Sequence, residues 1–502
     1  MQNLKLLLAC NLKAELARRS FWEFCKLVSP DFYKDSRTHL KTICDTLQAL
    51  YEGRLIKNNQ SDEWQIVDLK KDGVIICKKL MLNIPPQHGK TRTLVNFATW
   101  MFGKNPQEKV ITGSYNDSTA GDFSRYTRDA IDVKESFEDK TVYCDIFPKT
   151  RIKKGNAGFE KWALEGAHFS YLGVGIGGSV TSKGASVLIV DDPIKSAEDA
   201  LNENNLDRIW LWYTSTFQSR VSAEDGEPIE VVCMTRWSKK DICGRILDGS
   251  NGKDWYQITM KAFESETDTM LCPQLFNRKR YFDLKELIEP GIFNANYLQE
   301  PLDKSGVLFQ KEDLKRFSLS ELRKEDAQAI MGYIDVMDDG TDSLAFALGY
   351  IYQNAVYITD VVFTSEKIDN TLPACVSLLE SCKVVEKLNG KEIVKQDFNY
   401  VRVEANNQGG GFIRLLRQHL PVDRILSVKN SANKNTRILI EYGFIKKYFH
   451  FRNDYEKNSQ YAKFMDELFG YMKDGSSKHD DAPDCTSGFS KMCKTFLPEL
   501  FK

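Results

Sequence analysis

The sequence carries almost no net charge and contains no long apolar run. Its 502 residues have a formal net charge of −1, so no overall field attracts the chain to nucleic acid or to a membrane, and any nucleic-acid contact must come from local patches. A run of about 18 apolar residues, which a membrane-spanning helix requires, is missing, so we expect no membrane partner. Internal repeats and low-complexity tracts are missing too.

Cysteine spacing excludes the common zinc folds. The twelve cysteines form no C-x-x-C pair, and none of the six histidines stands beside them at zinc-ligand spacing. Scattered cysteines in a long chain without a recognisable signal peptide are typical of a reducing compartment, so we expect a cytosolic protein with free thiols. A chain of this length is expected to form two or three domains.

A Gly-Lys-Thr sequence after an apolar run predicts a phosphate-binding loop. Residues 80–93 are LMLNIPPQHGKTRT, where a strand would turn into a helix at Gly89. Backbone N–H groups at such a turn bind phosphate oxygens, Lys90 would reach the outer phosphates, and the Thr91 hydroxyl would bind Mg²⁺. The usual loop has glycine six residues before the lysine, where this chain has Ile84, so the pattern alone leaves a chance occurrence open.

Two aspartates end a second apolar run about a hundred residues later. Residues 187–193 are VLIVDDP, which is typical of a parallel strand buried on both faces, and ligands bind at the carboxyl ends of such strands. We expect Asp191 to hold the Mg²⁺ that Thr91 also binds, and Asp192 to polarise the attacking water. The alternative is a strand that ends in a solvated acidic turn.

Alternating strands and helices predict an α/β fold with a parallel sheet in the N-terminal portion of the chain. We expect a helical region over residues 1–70, an α/β core at 71–300, a charged linker at 301–329 and a second domain at 330–502. Elements of the core are predicted at 74–84, 91–102, 109–114, 122–131, 187–190 and 230–234.

The second domain is predicted to have an RNase H-like mixed sheet. Its pattern begins with three antiparallel strands and continues with alternating helices and strands, at 331–336, 343–352, 355–363, 372–387, 400–405, 412–419 and 424–428. Asp335 lies in the first strand and Glu404 near the end of the fourth, while the late segment HDDAPDCTSG brings three more acids, Asp480, Asp481 and Asp484. Two-metal phosphodiester cleavage needs several carboxylates around ions roughly 3.5–4 Å apart. Asp480 and Asp481 could instead cap a helix.

The motifs together resemble the large terminase subunits of tailed bacteriophages. The matching segments are PPQHGKT, GSYNDSTAGDFSRYTRDAI at 113–131, GVGIGGSVTSKGASVLIVDDPIK at 173–195 and MTRW at 234–237, then LCPQLFN at 271–277, NANYLQEP at 294–301, VRVEANNQGGG and HDDAPDC. They occur in the family's order over about residues 20–490. The resemblance implies a P-loop (ASCE-type) ATPase domain followed by an RNase H-like nuclease domain.

The resemblance also implies a function and partners. It implies an ATP-driven motor that pumps double-stranded viral DNA into a procapsid through the portal protein, together with a small terminase subunit. It implies a nuclease that cuts concatemeric DNA with Mg²⁺, for which Mn²⁺ can substitute. We expect a monomer when free, a homo-oligomeric ring on the procapsid, and a host-cytoplasmic location that is transiently at the portal vertex.

Residue roles in the ATPase half follow from the resemblance one position at a time. Pro86, Gln87 and His88 belong to the nucleotide loop with Gly89, although the family often has Arg where this chain has Gln87. Arg128, in preference to Arg125, is implied as an arginine finger. Arg236, in the MTRW segment that would sense the γ-phosphate, is implied as catalytic, whereas the alternative there is a strand end packed by Trp237. Glu198 remains an alternative to Asp192 as the catalytic carboxylate.

In the nuclease half we expect Asp335, Glu404 and Asp481 to hold two Mg²⁺ or Mn²⁺ ions, with Asp480 or Asp484 completing the site. Asp481 and Asp484 share a helix face because they are three residues apart, and hard cations prefer oxygen ligands. His479 is a poorer candidate for a metal ligand because imidazole suits softer metals, and it could instead contact the scissile phosphate.

Two other interpretations of the sequence stay open. The glycine-rich segment 173–184 precedes a strand, which excludes a dinucleotide fingerprint. Its hydroxyls and lysine (Ser179, Thr181, Ser182, Lys183) either contact a DNA backbone or form a packed turn. The alternatives for the whole chain are a helicase or remodelling ATPase with a non-catalytic RNase H-like domain, and an adaptor with two vestigial sites.

Overall fold

The computed structural model describes residues 2–57, 63–69, 73–133, 141–178, 184–220, 227–301, 306–336, 343–388, 391–405, 409–430 and 433–501. The chain divides into two compact units, Met1–Phe282 with Gly291–Leu302 and Asp283–Pro290 with Asp303–Lys502. Each unit has its own central sheet. Ser179 and residues 181–183, for which a DNA contact is one interpretation, lie outside the described residues.

The first unit combines N-terminal helices with an α/β core. Its helices are α1 (Gln2–Arg19), α2 (Phe21–Val28), α3 (Thr38–Tyr51), α4 (Lys90–Lys104), α5 (Asp117–Asp132), α6 (Tyr143–Ile146), α7 (Ala197–Leu201), α8 (Glu203–Leu211) and α9 (Ile242–Asp248). Two more helices, α10 (Arg278–Leu287) and α11 (Pro290–Phe293), fall where the assignment of the chain alternates between the units. Its strands are β1 (Leu55–Lys57), β2 (Gln65–Ile66), β3 (Ile75–Ile76), β4 (Lys79–Asn83), β5 (Val110–Ser114), β6 (Ile152–Ala157), β7 (Lys161–Leu164), β8 (Tyr171–Gly175), β9 (Val187–Asp191), β10 (Ile229–Met234), β11 (Trp255–Thr259), β12 (Phe263–Glu264) and β13 (Thr269–Met270).

The main sheet of the first unit is parallel over most of its width. The described strands follow the order β11–β4–β10–β9–β5–β8–β7–β6, with parallel pairs from β11 to β8 and antiparallel pairs at the β7–β6 edge. Strand β10 lies between β4, which leads into the phosphate loop, and β9, which ends in Asp191. This is the ASCE-type order, so the predicted fold class of this half is confirmed.

Both faces of this sheet are covered, which explains the continuous apolar runs. Leu80 and Leu82 of β4 pack with Trp100 of α4 on one face, whereas Met81 packs with Trp212 on the other. Alternate residues of a strand point to opposite faces, so a run without polar positions is the pattern expected of a strand buried between two helical layers.

The sequence did not predict every element of the first unit correctly. The single strand expected at 74–84 is two strands, because β3 pairs with β1 in a small separate sheet while β4 joins the main sheet. The region over residues 1–70, predicted to be helical, also contains β1 and β2. No strand was predicted where β6 pairs with β7.

The second unit is built on a mixed sheet. Its strands are β14 (Lys315–Phe317), β15 (Ala329–Asp335), β16 (Leu344–Tyr352), β17 (Ala355–Thr364), β18 (Val384–Leu388), β19 (Lys391–Gln396), β20 (Tyr400–Glu404), β21 (Ile425–Val428) and β22 (Phe449–Arg452). Its helices are α12 (Ile368–Glu380), α13 (Gly409–His419), α14 (Lys434–Tyr448), α15 (Ser459–Gly470) and α16 (Asp481–Phe496).

The strand order of the second unit is the predicted RNase H-like one. The described sheet runs β14–β22–β17–β16–β15–β20–β21. Strands β15, β16 and β17 form an antiparallel meander, and β20 and β21 follow in parallel beside β15. Strands β22 and β14 extend the sheet at the β17 edge, so three residues of the segment expected to be a linker, 315–317, pair within this sheet.

A glycine lets α16 approach the central strand closely. A Cβ at Gly488 would lie 2.2 Å from the ring of Tyr333, a distance at which any larger residue would force the helix away from β15. Asp484 lies one turn before Gly488, and Asp335 lies two residues after Tyr333 on the same strand. The close approach therefore brings the acids of α16 to the end of β15.

One predicted helix of the second unit is wrong at its C-terminal end. The helix expected at 372–387 ends at Glu380, and a hairpin of β18 and β19 follows. The sequence Asn389-Gly390 between these two strands is a strong hairpin signal. None of the described helices combines the length and apolar character that crossing a bilayer requires.

Candidate nucleotide and metal sites

The loop between β4 and α4 has the backbone that phosphate binding requires. Gly89, immediately before α4, has a φ of +86°, which only glycine adopts without strain, and a Cβ there would lie 2.8 Å from the ring of Phe32. Gln87 also has a positive φ, of 64°. The N–H groups of the first turn of α4 can therefore receive an anion.

Lys90 is a buried cation held by three oxygen atoms. Its Nζ lies 3.1 Å from Asp192 Oδ1 and 3.2 Å from the carbonyl oxygen of Ile84, and it donates to the hydroxyl of Thr235. A buried ammonium group is costly unless it is paired and hydrogen-bonded. Here all the partners come from the carboxyl ends of neighbouring strands.

Asp191 fits a divalent cation. The Thr91 hydroxyl donates to Asp191 Oδ2 at 2.6 Å, whereas Asp191 Oδ1 is buried and has no hydrogen-bond partner among the described atoms. Burial, and then the charge of Asp192, raise the pKa of Asp191 to about 7. An unsatisfied buried carboxylate oxygen beside a hydroxyl is a donor set that Mg²⁺ favours.

A cavity of about 380 Å³ opens over this loop. Its lining comprises Phe32, Pro86, Gln87, Gly89, Lys90, Thr91, Arg92 and Asp192. The sequence did not identify Phe32 or Arg92, and the guanidinium of Arg92 lies 4.5 Å from the centre of the Phe32 ring. His88 belongs to the loop but not to this lining: its Nδ1 lies 2.8 Å from the Pro86 carbonyl oxygen, so it supports the turn.

In the MTRW segment the residue that contacts the phosphate loop is Thr235. Its backbone N–H donates to Asp192 Oδ1 at 2.9 Å, in addition to its contact with Lys90. Arg236 is buried, and its Nε pairs with Asp241 Oδ2 at 3.0 Å. The catalytic role expected for Arg236 stays a prediction. The contact of Thr235 with the phosphate loop becomes visible only from the position of β10 between β4 and β9.

The finger candidates lie outside the lining of this cavity. Arg128 donates to Asp129 at 2.6 Å and to the carbonyl oxygen of Gly158 at 3.1 Å. Arg125 pairs with Asp122 at 2.9 Å, and Glu198 is exposed on α7. A finger that acts on a neighbouring subunit therefore remains a prediction for Arg128.

The second unit brings three carboxylates together. Asp335 is the last residue of β15 and Glu404 the last of β20, and these strands are parallel neighbours, so their carboxyl ends meet. Asp484 reaches them from α16. One oxygen atom of each acid lies within 4.8 Å of the others, and no further cluster of this kind occurs among the described residues. This spacing suits a hard divalent cation.

Two cations of α14 lie among these acids, and the sequence did not reveal them. Arg437 contacts Asp484 Oδ2 at 2.5 Å and Glu404 Oε1 at 3.6 Å. Lys434 Nζ lies 2.6 Å from Asp480 Oδ1, 3.4 Å from Asp481 Oδ1 and 3.7 Å from Asp484 Oδ2. Like charges converge this closely only with compensating cations.

The environment of the cluster disfavours bare carboxylates. Burial, and then the charges of Asp484 and Glu404, raise the pKa of Asp335 well above its usual value. Burial raises the pKa of Asp484 to about 6, although Arg437 opposes the shift. Tyr333 and Asn430 donate to Glu404 Oε2 at 3.3 and 3.0 Å, which fixes its orientation. Buried acids whose charges repel one another are a setting in which a bound metal ion would be stabilising.

Which of the predicted acids hold metal stays a prediction, but the structure shows which of them lie together. Asp484 joins Asp335 and Glu404, whereas Asp481 accepts from the Ser343 backbone N–H at 2.8 Å and contacts Lys434. Helix spacing places Asp481 and Asp484 on one face but cannot say which of them meets β15. Asp480 precedes α16 without a side-chain capping bond and pairs with Lys434 instead. His479 is exposed.

The fold and these sites define a protein that joins a P-loop unit to an RNase H-like unit. One unit is a P-loop α/β fold with a lysine, a hydroxyl and strand-end acids, and the other is an RNase H-like fold with a carboxylate cluster. This is the architecture expected from the sequence resemblance to large terminases.

Comparisons with solved structures find terminases. The large terminase of a thermophilic bacteriophage, in complex with ADP, is similar over 84% of this chain and 94% of its own, at 13% identity and a TM-score of 0.48. The bacteriophage HK97 large terminase is similar over 81% of this chain and 90% of its own, at 10% identity and a TM-score of 0.32. The Mn-soaked human cytomegalovirus terminase nuclease domain is similar over 37% of this chain and 95% of its own, at 11% identity and a TM-score of 0.27. No protein-family profile and no curated sequence matches, so the assignment of each residue rests on this chain's own contacts.

Proposed function

We propose that this protein is a large terminase subunit, an ATPase that drives viral DNA packaging and a metal-dependent DNA endonuclease. The observation that carries the proposal is the presence in one chain of two chemically distinct sites: Lys90, Thr91 and Asp191 at strand ends of the first sheet, and Asp335, Glu404 and Asp484 in the second. A remodelling ATPase needs only the first of these sites.

In the ATPase site the residues act mainly by positioning and by charge. Mg²⁺ would be held by Thr91 and Asp191 and would supply charge neutralisation between the phosphates. The N–H groups of the α4 first turn receive phosphate oxygens, and Lys90 exchanges its contact with Asp192 for the outer phosphates. Asp192, released from Lys90 but still held by the Thr235 N–H, then orients the attacking water. Thr235 thereby links the phosphate position to the end of β10.

In the nuclease site the carboxylates hold the ions that cleavage requires. Two divalent ions, held by Asp335, Glu404 and Asp484 with Asp481 or Asp480, would activate the water and stabilise the leaving oxygen. Tyr333 and Asn430 keep Glu404 oriented by hydrogen bonds. The guanidinium of Arg437 keeps the acids together and remains charged at any relevant pH.

The partners follow from the same proposal. Double-stranded DNA is the substrate of both activities, and the portal protein, the small terminase subunit and further copies of this chain in a ring are the packaging partners. The chain would act in the host cytoplasm and, during packaging, at the portal vertex of the procapsid. Weak ATP turnover in the free monomer should rise on a portal-bearing shell if Arg128 of one subunit serves the next.

The alternative is a helicase or remodelling ATPase whose RNase H-like unit is inactive. Nicking of supercoiled plasmid in Mn²⁺ by the full chain separates the two, with Asp335→Ala as the control. Loss of nicking in that variant supports the nuclease, whereas a native protein that never nicks supports the alternative. ADP and ATP-γ-S, which are bound in structures of the thermophilic phage's large terminase, are suitable probes of the first site.

A further inference from the structure

The carboxylates near α16 are shared unequally between two cations. Arg437 bridges Glu404 and Asp484, two members of the three-acid cluster. The shortest contacts of Lys434, at 2.6 and 3.4 Å, are to Asp480 and Asp481, which lie outside that cluster. Lys434 contacts the cluster at Asp484, 3.7 Å away, and its positive charge also interacts with Asp335. The closest contacts of the two cations thus lie on different sides of the site, although both cations approach Asp484 Oδ2.

The two cations also differ in how firmly they are held. An arginine fork fixed on two carboxylates is rigid, whereas a lysine ammonium is a point charge on a flexible stem. Lys434 is therefore the cation that can leave its place. An ion bound by Asp481 and Asp484 would need the position that its ammonium takes.

The charges of the surrounding side chains make the first divalent ion easier to bind than the second. One divalent ion among Asp335, Glu404 and Asp484 nearly balances the negative charge left by the two cations. A second ion on the side of Asp480 and Asp481 meets the Lys434 ammonium a few ångströms away, and like charges at such a distance repel strongly in a partly buried site.

We propose that Lys434 is a built-in competitor for the second metal position of the nuclease site. The inference rests on the proposed nuclease function and deepens it. The first ion binds among three carboxylates whose charge Arg437 offsets only in part, and the second binds well only when the ammonium of Lys434 moves off Asp481 and Asp484. A DNA phosphate, which attracts the ammonium, would provide that movement, so the site would fill completely only on its substrate.

The test counts Mn²⁺ ions bound to the full chain without nucleotide or DNA. Native protein, Lys434→Met, Lys434→Arg and Asp335→Asn are titrated with Mn²⁺, and free Mn²⁺ is measured by its paramagnetic resonance signal. Any ion held by the first unit is common to all four proteins. Lys446→Met is the matched control, because Lys446 lies on the same helix and loses an ion pair of 2.8 Å, with Asp313, away from the acids.

We expect Asp335→Asn to lose one ion relative to the native chain, and Lys434→Met to gain one or to bind its weaker ion at least tenfold more tightly. Lys434→Arg and Lys446→Met should match the native count. If Lys434→Met binds as the native chain does while Asp335→Asn loses an ion, the competition is excluded and the nuclease site stands. If Asp335→Asn loses no ion, the proposed metal site fails first.

The melting temperature of each protein, measured without and with Mn²⁺, distinguishes a change in Mn²⁺ binding from misfolding. Competition predicts that Lys434→Met is less stable than the native chain without Mn²⁺, because three carboxylates lose a cation, yet gains more from added Mn²⁺. A variant that melts lower and gains less than the native chain would overturn the proposal.

Discussion

The two candidate sites balance charge in different ways. In the first unit a single buried lysine, Lys90, contacts Asp192 at a strand end, while Asp191 keeps one buried oxygen without a partner among the described atoms. In the second unit the two cations of α14, Lys434 and Arg437, lie among the acids of β15, β20 and α16. The first site therefore places its lysine in the wall of a cavity that an anionic ligand can enter, whereas the second presents acids to a cationic one.

This difference in charge balance indicates the charge of the ligand that each site would bind first. On the proposed function, anionic phosphates would replace Asp192 on Lys90, and a metal ion bound to them would meet the buried Asp191 oxygen that has no hydrogen-bond partner among the described atoms. In the second site the first metal ion would bind before DNA, and the second would bind with it. The two activities should accordingly be separable by mutation, since the acids and cations of one site have no chemical role in the other.

Removing the lysine of the first site should produce the largest separation. Lys90→Ala deletes the charge that stabilises the transferring phosphoryl group, and loss of such a group costs about a hundredfold or more in rate. ATP hydrolysis should be lost at that level while plasmid nicking in Mn²⁺ stays at the native rate. Lys104→Ala, at the other end of α4, is the control. ATP turnover at the native rate in Lys90→Ala would refute the phosphate-loop assignment.

The acids of α16 should rank by their distance from the cluster. Asp484→Asn removes a member of the three-acid set and should reduce nicking more than the other two substitutions, since metal ions held by such acids activate the water, and Asp481→Asn should be severely affected as well. Asp480→Asn should be the mildest, since Asp480 contacts only Lys434 in this group. Nicking rates at fixed Mn²⁺ measure the order. A reversal, with Asp480→Asn worst, would mean that the ions bind on the other side of α16.

The stability of the first unit should reveal the burial of Asp191. Its folded pKa of about 7 exceeds the usual aspartate value of about 3.9, so the folded state binds the proton more tightly, and stability falls as pH rises from about 4 to 7. Asp191→Asn should therefore melt higher than the native chain at pH 8 without metal, by roughly 2–4 °C, and the gain should vanish near pH 4.

Tryptophan fluorescence isolates this effect, because all eight tryptophans lie in the first unit. Asp192→Asn is the contrast, since Asp192 pairs with Lys90 and its loss should give no gain. An Asp191→Asn protein that melts lower than the native chain at pH 8 would show that the carboxylate is satisfied in solution.

The smallest expected effect is that of Arg128→Ala in the free protein. Its contacts with Asp129 and Gly158 are on the partly exposed surface of α5, where an ion pair is worth about 0–1 kcal/mol, so basal ATP turnover should change little. Stimulation by portal-bearing procapsids should be lost. Equal stimulation of Arg128→Ala and native protein would exclude Arg128 as the finger, and Arg125→Ala would be examined next.

Local patterns in the sequence were sufficient for the strands that end in functional residues. Residues 187–193 predicted β9 with its two acids, and the order of elements after residue 330 predicted the mixed sheet, because apolar runs and terminal acids are local features. Contacts made across the sheet were not predictable in this way. Thr235 is recognised only because β10 lies between β4 and β9, and Phe32 only because its ring covers Gly89.

The same limit applies to the nuclease half. Lys434 and Arg437 look like ordinary surface charges of a helix until α14 is placed against α16. The choice of Asp484 over Asp481 depends on the close approach of Gly488 to Tyr333, which helical spacing does not encode. The acids of the site can thus be identified from sequence patterns. The cations that compensate their charge can be identified only once the packing of the helices is known.

Asp335→Ala in the full chain tests the central claim, two separable catalytic sites in one protein, most directly. Nicking of supercoiled plasmid in Mn²⁺ and hydrolysis of ATP are measured on the same preparation. We predict that nicking is almost completely lost while ATP hydrolysis continues at the native rate. Undiminished nicking by Asp335→Ala would contradict the assignment of the carboxylate cluster, and with it the terminase function proposed for this protein.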